Sequence, residues 1–162
     1  MGKSISLDIA ALILLVILLI SCIFRRMTSG RSNRIFIIIM LTAIASTLFD
    51  IATVIIGKMQ GNHTALLYVV HTGYLVTHYL SAPFHLIFVI SLTDTWHKLR
   101  KHVALQLLLV LPLLITMLAF VANFRNHLFF SVENGYTRGP LFILLYMTTV
   151  LYVIYDLAYI IL

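Results

Sequence analysis

An all-α integral membrane bundle of five helices is what three features of this sequence predict. Of its 162 residues, 62% are hydrophobic and 10% charged, whereas a soluble domain is about 45–50% apolar and about 25% charged. The apolar residues gather into five runs, each near the roughly 20 residues that a helix needs to cross a bilayer. None of the runs alternates with period two, as a barrel strand would. An open chain in hydrocarbon satisfies its backbone only as helix.

The first run, Leu7 to Phe24, is followed at once by Arg25 and Arg26. No small-x-small cleavage site closes it, so it reads as an anchor that stays on the chain. The second run is Ile35 to Gly57 and the third Thr64 to Leu92. The fourth is Val103 to Phe124 and the fifth Leu141 to Leu162. The one cysteine, Cys22, lies in the first run and allows no internal disulfide.

The formal charge of +6 would suggest nucleic acid in a soluble protein. Here topology accounts for it, and no nucleic-acid partner is expected. Arg25, Arg26, Arg31 and Arg34 lie in the first connection, and Lys98, Arg100 and Lys101 in the third. Both connections fall on one side of the membrane. By the positive-inside rule that side is cytoplasmic, which places the N-terminus outside and the C-terminus inside. The fourth connection, residues 123–140, then faces out. Its Asn134-Gly135 pair is a hairpin-turn signal flanked by Phe129, Phe130, Val132 and Tyr136. Those aromatics suit either a small hairpin or interface anchors. Leu162 ends the chain inside an apolar run with no basic flank, so the sequence is expected to be part of something longer.

An ionisable group inside a span is a functional candidate, because burying it costs roughly 2.5–3.5 kcal/mol even on the lenient insertion scale. Five such groups occur: Asp50 in the second helix, His71, His78 and His85 in the third, and Asp156 in the fifth. The three histidines are seven residues apart, so each turns only about 20° from the one before, and all lie near one face. At about 1.5 Å rise per residue, Asp50 and His71 both sit roughly 10 Å in, and His78 and Asp156 roughly 21–24 Å in. Matched depth pairs Asp50 with His71 and Asp156 with His78, leaving His85 without a partner. Such pairs suit a proton- or ligand-sensitive element, and they equally suit a static polar lock between helices.

Metal and haem fit poorly. The intramembrane histidines share one helix and stand about 10.5 Å apart along it. His63, His97, His102 and His127 fall in connections. No cofactor is expected. Pro83 removes a backbone donor and crowds the carbonyl of Tyr79, which predicts a kink and a candidate hinge. Ser81 is expected to satisfy the freed carbonyl. Tyr146, Tyr152, Tyr155 and Tyr159 give the last helix a hydroxyl-bearing face around Asp156.

Several stretches carry a resemblance. Ser32-Asn33-Arg34-Ile35-Phe36 opens the second helix. His78-Tyr79-Leu80-Ser81-Ala82-Pro83-Phe84-His85 is followed by Val89-Ile90-Ser91-Leu92-Thr93. Glu133-Asn134-Gly135-Tyr136-Thr137-Arg138-Gly139-Pro140-Leu141 leads into the Tyr-rich helix. Together they resemble the N-terminal membrane sensor region of bacterial GGDEF-type diguanylate cyclases, which is similar to the seven-helix sensor region of histidine kinases. The resemblance implies about seven helices, a homodimer, an inner-membrane location and a cytoplasmic output domain. This chain departs from it by carrying five spans and no GGDEF, nucleotide-binding or phosphoacceptor segment. It implies no catalytic residue here.

The expected function is therefore a non-enzymatic sensory input module, residues 1–162, that responds to a small molecule or to the state of the lipid bilayer. Two other classes fit the same residues: a small transporter or proton-pathway protein, and a structural membrane subunit. Transporters pair Gly/Pro-broken helices between repeats; one such break is counted here, at Pro83.

Overall fold

Polar residues at the flanks of the apolar runs decide where each helix starts and stops. The computed structural model of the protein describes residues 5–24, 30–59, 63–93, 101, 103–132 and 136–161. Helix α1 spans Ile5–Phe24, α2 Arg31–Lys58, α3 Thr64–Leu92 and α4 Val103–Asn126. The strands β1 (Phe130–Ser131) and β2 (Thr137–Arg138) follow, then α5 (Phe142–Ile161). The fold is all-α apart from that short strand pair. Helix α2 begins a full turn before its apolar run because Arg31 to Arg34 are polar yet helix-competent. Gly30 precedes it at φ 109°, a left-handed value natural to glycine. Its carbonyl accepts the first helical bond from Arg34 N at 3.2 Å.

The chain forms two compact units, residues 1–81 and 82–162, and the division falls within α3 just before Pro83. In the first unit α1 lies along α2. Ten large apolar side chains of α1 are exposed, from Leu7 (73%) to Phe24 (83%), and none is buried. Exposing such a side chain to water costs about 1.5–3 kcal/mol, so ten would cost roughly 15–30 kcal/mol. A domain's whole stability is about 5–15 kcal/mol. An exposed apolar surface of this extent suits lipid. Among the described residues α1, α2 and α3 are long and apolar enough to cross a membrane, while α4 and α5 carry shorter apolar segments at 110–123 and 142–158.

Helix α2 meets the N-terminal part of α3 where the Phe49 ring lies over Gly73. A Cβ added at Gly73 would stand 2.7 Å from two of its ring carbons, so the missing side chain is what admits the ring. In the second unit, Leu86 and Ile90 of α3 and Tyr152 of α5 are fully buried, with Ala82 and Tyr155 packed around them. Helix α3 continues through Pro83 without interruption, and α4 holds a proline of its own, Pro112. Neither proline interrupts its helix, so the break counted at Pro83 does not appear. The Ser81 hydroxyl donates to His78 O at 2.6 Å, not to the Tyr79 carbonyl. A serine on a helix reaches back three or four residues, and Tyr79 is only two away.

The loop after α4 is built on one buried side chain. Asn123, with no exposure, accepts at Oδ1 from Phe129 N (2.6 Å) and Phe130 N (3.2 Å), while its Nδ2 donates to Phe130 O (3.3 Å). His127 takes φ 50°, donating its N–H to Asn123 O at 3.0 Å, so α4 ends in a left-handed cap. The chain then turns into a hairpin with Phe130 opposite Arg138 and Ser131 opposite Thr137. The hairpin was one of the two expectations for this connection; its Asn134-Gly135 turn lies outside the described residues. Phe129 and Phe130 are buried rather than set at an interface, and Tyr136 stacks on Phe130 with ring centroids 6.2 Å apart. Gly139 donates to Phe129 O at 2.8 Å, and its Cα faces the backbone of His127 and Leu128 so closely that a Cβ would collide with the Leu128 carbonyl.

Two substitutions test this loop. Asn123→Ala strands two buried backbone N–H groups at about 1–3 kcal/mol each. It should lower the thermal midpoint in detergent and speed amide exchange at Phe129. Gly139→Ala should destabilise too, since backbone cannot move aside as a side-chain tip can. A midpoint equal to wild type in both variants would show that the loop does not hold the second unit together.

Candidate functional site

Helical spacing places Ala43, Ser46, Thr47 and Asp50 on one face of α2, because steps of three and four residues are near-neighbours around a helix. The same spacing puts Thr77, His78 and Ser81 on one face of α3. These faces meet within the first unit and line an open cleft of 210 Å³ with hydroxyl and imidazole groups, bounded by Ala43, Ser46, Thr47, Thr77, His78 and Ser81. Ser46 is buried and His78 is exposed. Asp50 lies one turn beyond Ser46 and within electrostatic reach of His78. The His78 imidazole is also held by its neighbours. It stacks on Tyr74 at 5.6 Å between centroids and meets the Tyr79 ring edge-on at 5.4 Å.

A second acid–imidazole pair sits in the second unit. Asp156 of α5 is half-buried and lies within electrostatic reach of His85, which is exposed. Its Oδ1 is shielded from solvent and accepts no hydrogen bond from a described residue. Asp156 shares its helix face with the fully buried Leu145 and Tyr152.

Asp50 lies within electrostatic reach of His78, and Asp156 within reach of His85, two proximities that depth matching did not give. His85 thus has the partner that depth matching denied it. Counting rise from the helix ends assumes level ends and upright helices, and α2 starts a turn earlier than its apolar run. His71 is half-buried in α3, and Pro83 is buried.

Of the tyrosines, Tyr152 is buried, Tyr155 half-buried and Tyr146 exposed; the Tyr159 side chain lies outside the described residues. So do Arg25, Arg26, Lys98 and Arg100, on which the orientation argument leaned. Among the described residues no three His, Cys, Asp or Glu side chains gather as a metal site would require.

The hydroxyl residues lining the cleft were missed by a search for ionisable groups. Their signal was the run of small and hydroxyl residues at helical spacing in both α2 and α3. An apolar cleft of 280 Å³ separates parts of α4 and α5, between Leu111, Pro112 and Ile115 on one side and Leu144, Met147 and Leu151 on the other. Among the described residues it has no ionisable lining.

No family matches this chain, and neither does any curated protein or solved structure. Its own geometry therefore carries the functional argument.

The Gly73 contact governs how closely α2 and α3 approach beside the cleft. Gly73→Leu should force them apart and destabilise the first unit by about 1–3 kcal/mol. Gly73→Ala should do less, because only the tip of the Phe49 ring must tilt. Thermal unfolding in detergent measures both; equal midpoints for the two variants would remove the steric account.

Proposed function

We propose that this chain is a membrane-embedded signal-input module, with the polar α2–α3 cleft as the place where the signal enters. The observation that carries this reading is the cleft itself. It is a hydroxyl- and imidazole-lined space beside an acid, inside helices that otherwise offer lipid an apolar surface. Intramembrane polar groups are expensive, and a static lock fills its own polar surface rather than leaving an open space. The Asp156–His85 pair in the second unit supplies another polar element on the same helix α3. Movement of α3 about Pro83 would carry a change at the cleft along the chain.

In this reading all five helices cross a bacterial inner membrane, with the N-terminus outside and the basic connections inside. The module works as a homodimer and passes its signal to a cytoplasmic output domain, of which a diguanylate cyclase is the kind that the resemblance implies. A transport function could draw on a second intrahelical proline, Pro112, but neither proline breaks its helix and no internal repeat accompanies them.

Two experiments test the reading. A reporter active only outside the cell should work when fused after Gly61 or Asn134 and fail after Thr28 or Lys98; the reverse pattern would overturn the orientation. In the intact signalling protein, His78→Ala and Asp156→Asn should each change output at least several-fold at equal expression. Wild-type output from both variants would sink the input role.

A further inference from the structure

The cleft shows which kind of ligand it suits, through the direction of its hydroxyl protons. Thr47 Oγ1 donates to Ala43 O at 2.9 Å, Thr77 Oγ1 to Gly73 O at 2.8 Å, and Ser81 Oγ to His78 O at 2.6 Å. A hydroxyl has one proton and two lone pairs. Thr47, Thr77 and Ser81 have committed the proton to their own helix, so what these three can offer a guest is lone pairs, while Ser46, the fourth lining hydroxyl, can both donate and accept. Among the described residues no Lys or Arg lines the cleft, and His78 is the one lining ring with an N–H. The nearest acid, Asp50, lies one turn along the α2 face and within electrostatic reach of His78.

Acceptors backed by a carboxyl group suit a guest that donates hydrogen bonds and carries positive charge. An anion would meet lone pairs on three sides. The cleft's 210 Å³ gives room for a small organic guest of a few non-hydrogen atoms. Ala43 supplies an apolar wall for a short alkyl tail. We infer that the α2–α3 cleft binds a small primary alkylammonium ion, its N–H groups donating to Thr47, Thr77 and Ser81 with Asp50 as the countercharge. This rests on the cleft being the input site.

The test uses the full chain in phosphatidylcholine nanodiscs, labelled at histidine, with the His78 ring signals identified by their loss in His78→Asn. The probes are n-butylammonium chloride, 1-butanol, sodium butyrate and, at equal ionic strength, potassium chloride. Butylammonium should shift the His78 signals saturably, with a Kd at least tenfold below that of butanol. Butyrate and potassium should leave them unmoved. The near-isosteric Thr47→Val/Thr77→Val double variant should weaken butylammonium at least tenfold while keeping its thermal midpoint. Asp50→Asn should erase the preference for butylammonium over butanol.

Butyrate binding as well as butylammonium, butanol matching it, or potassium reproducing the shift would overturn the ligand class while leaving the cleft a binding site. Butylammonium binding undiminished in both variants would overturn it as well. His78 signals unmoved by every probe would remove both this inference and the cleft as the input site.

Discussion

In hydrocarbon a hydroxyl has no water to bond, and this one constraint organises much of the protein's polar chemistry. Throughout the helices Ser and Thr hydroxyls donate to carbonyls three or four residues earlier: Ser21 to Ile17, Thr42 to Ile38, Thr116 to Pro112, Thr148 to Leu144. The bond makes each hydroxyl cheap to place in lipid, and it turns the oxygen outward as an acceptor. Scattered along a helix, such acceptors do nothing. Where α2 and α3 bring three of them to one cleft, they become a surface of defined polarity.

The loop after α4 answers the same constraint differently. Leaving the helix frees backbone groups, and Asn123 gathers three of them with one side chain. An amide can do this because it donates and accepts at once. The hydroxyls serve the helix that carries them; Asn123 serves the chain that follows. Around it Phe120 and Phe129 pack at 5.7 Å between centroids, and the Arg138 guanidinium lies 5.0 Å from the Phe142 ring centroid. The connection is thus a built element rather than a slack tether.

The acid–imidazole pairs are the remaining polar investment. One lies in each unit, Asp50 with His78 and Asp156 with His85, and in both the histidine comes from α3. The seven-residue spacing that sets the histidines on one face also delivers successive members to different acids. A helix crossing between units distributes its face among neighbours, which a ladder of identical residues on one partner would not.

The sequence alone determined the helical class, the membrane setting and the position of each helix to within a few residues, because lipid leaves an apolar run of this length no other way to satisfy its backbone. It also marked Asp50, the three histidines and Asp156, since charge inside such a run is conspicuous. Tertiary structure set Asp50 within electrostatic reach of His78 and Asp156 within reach of His85, which depends on where helix ends lie within each unit. It decided that Ser81 bonds His78 rather than Tyr79, a matter of side-chain reach. Above all it made a cleft of Ser46, Thr47, Thr77 and Ser81. None but Ser81 stands out in its own helix, and the close approach allowed by Gly73 against Phe49 brings the two helices together beside them.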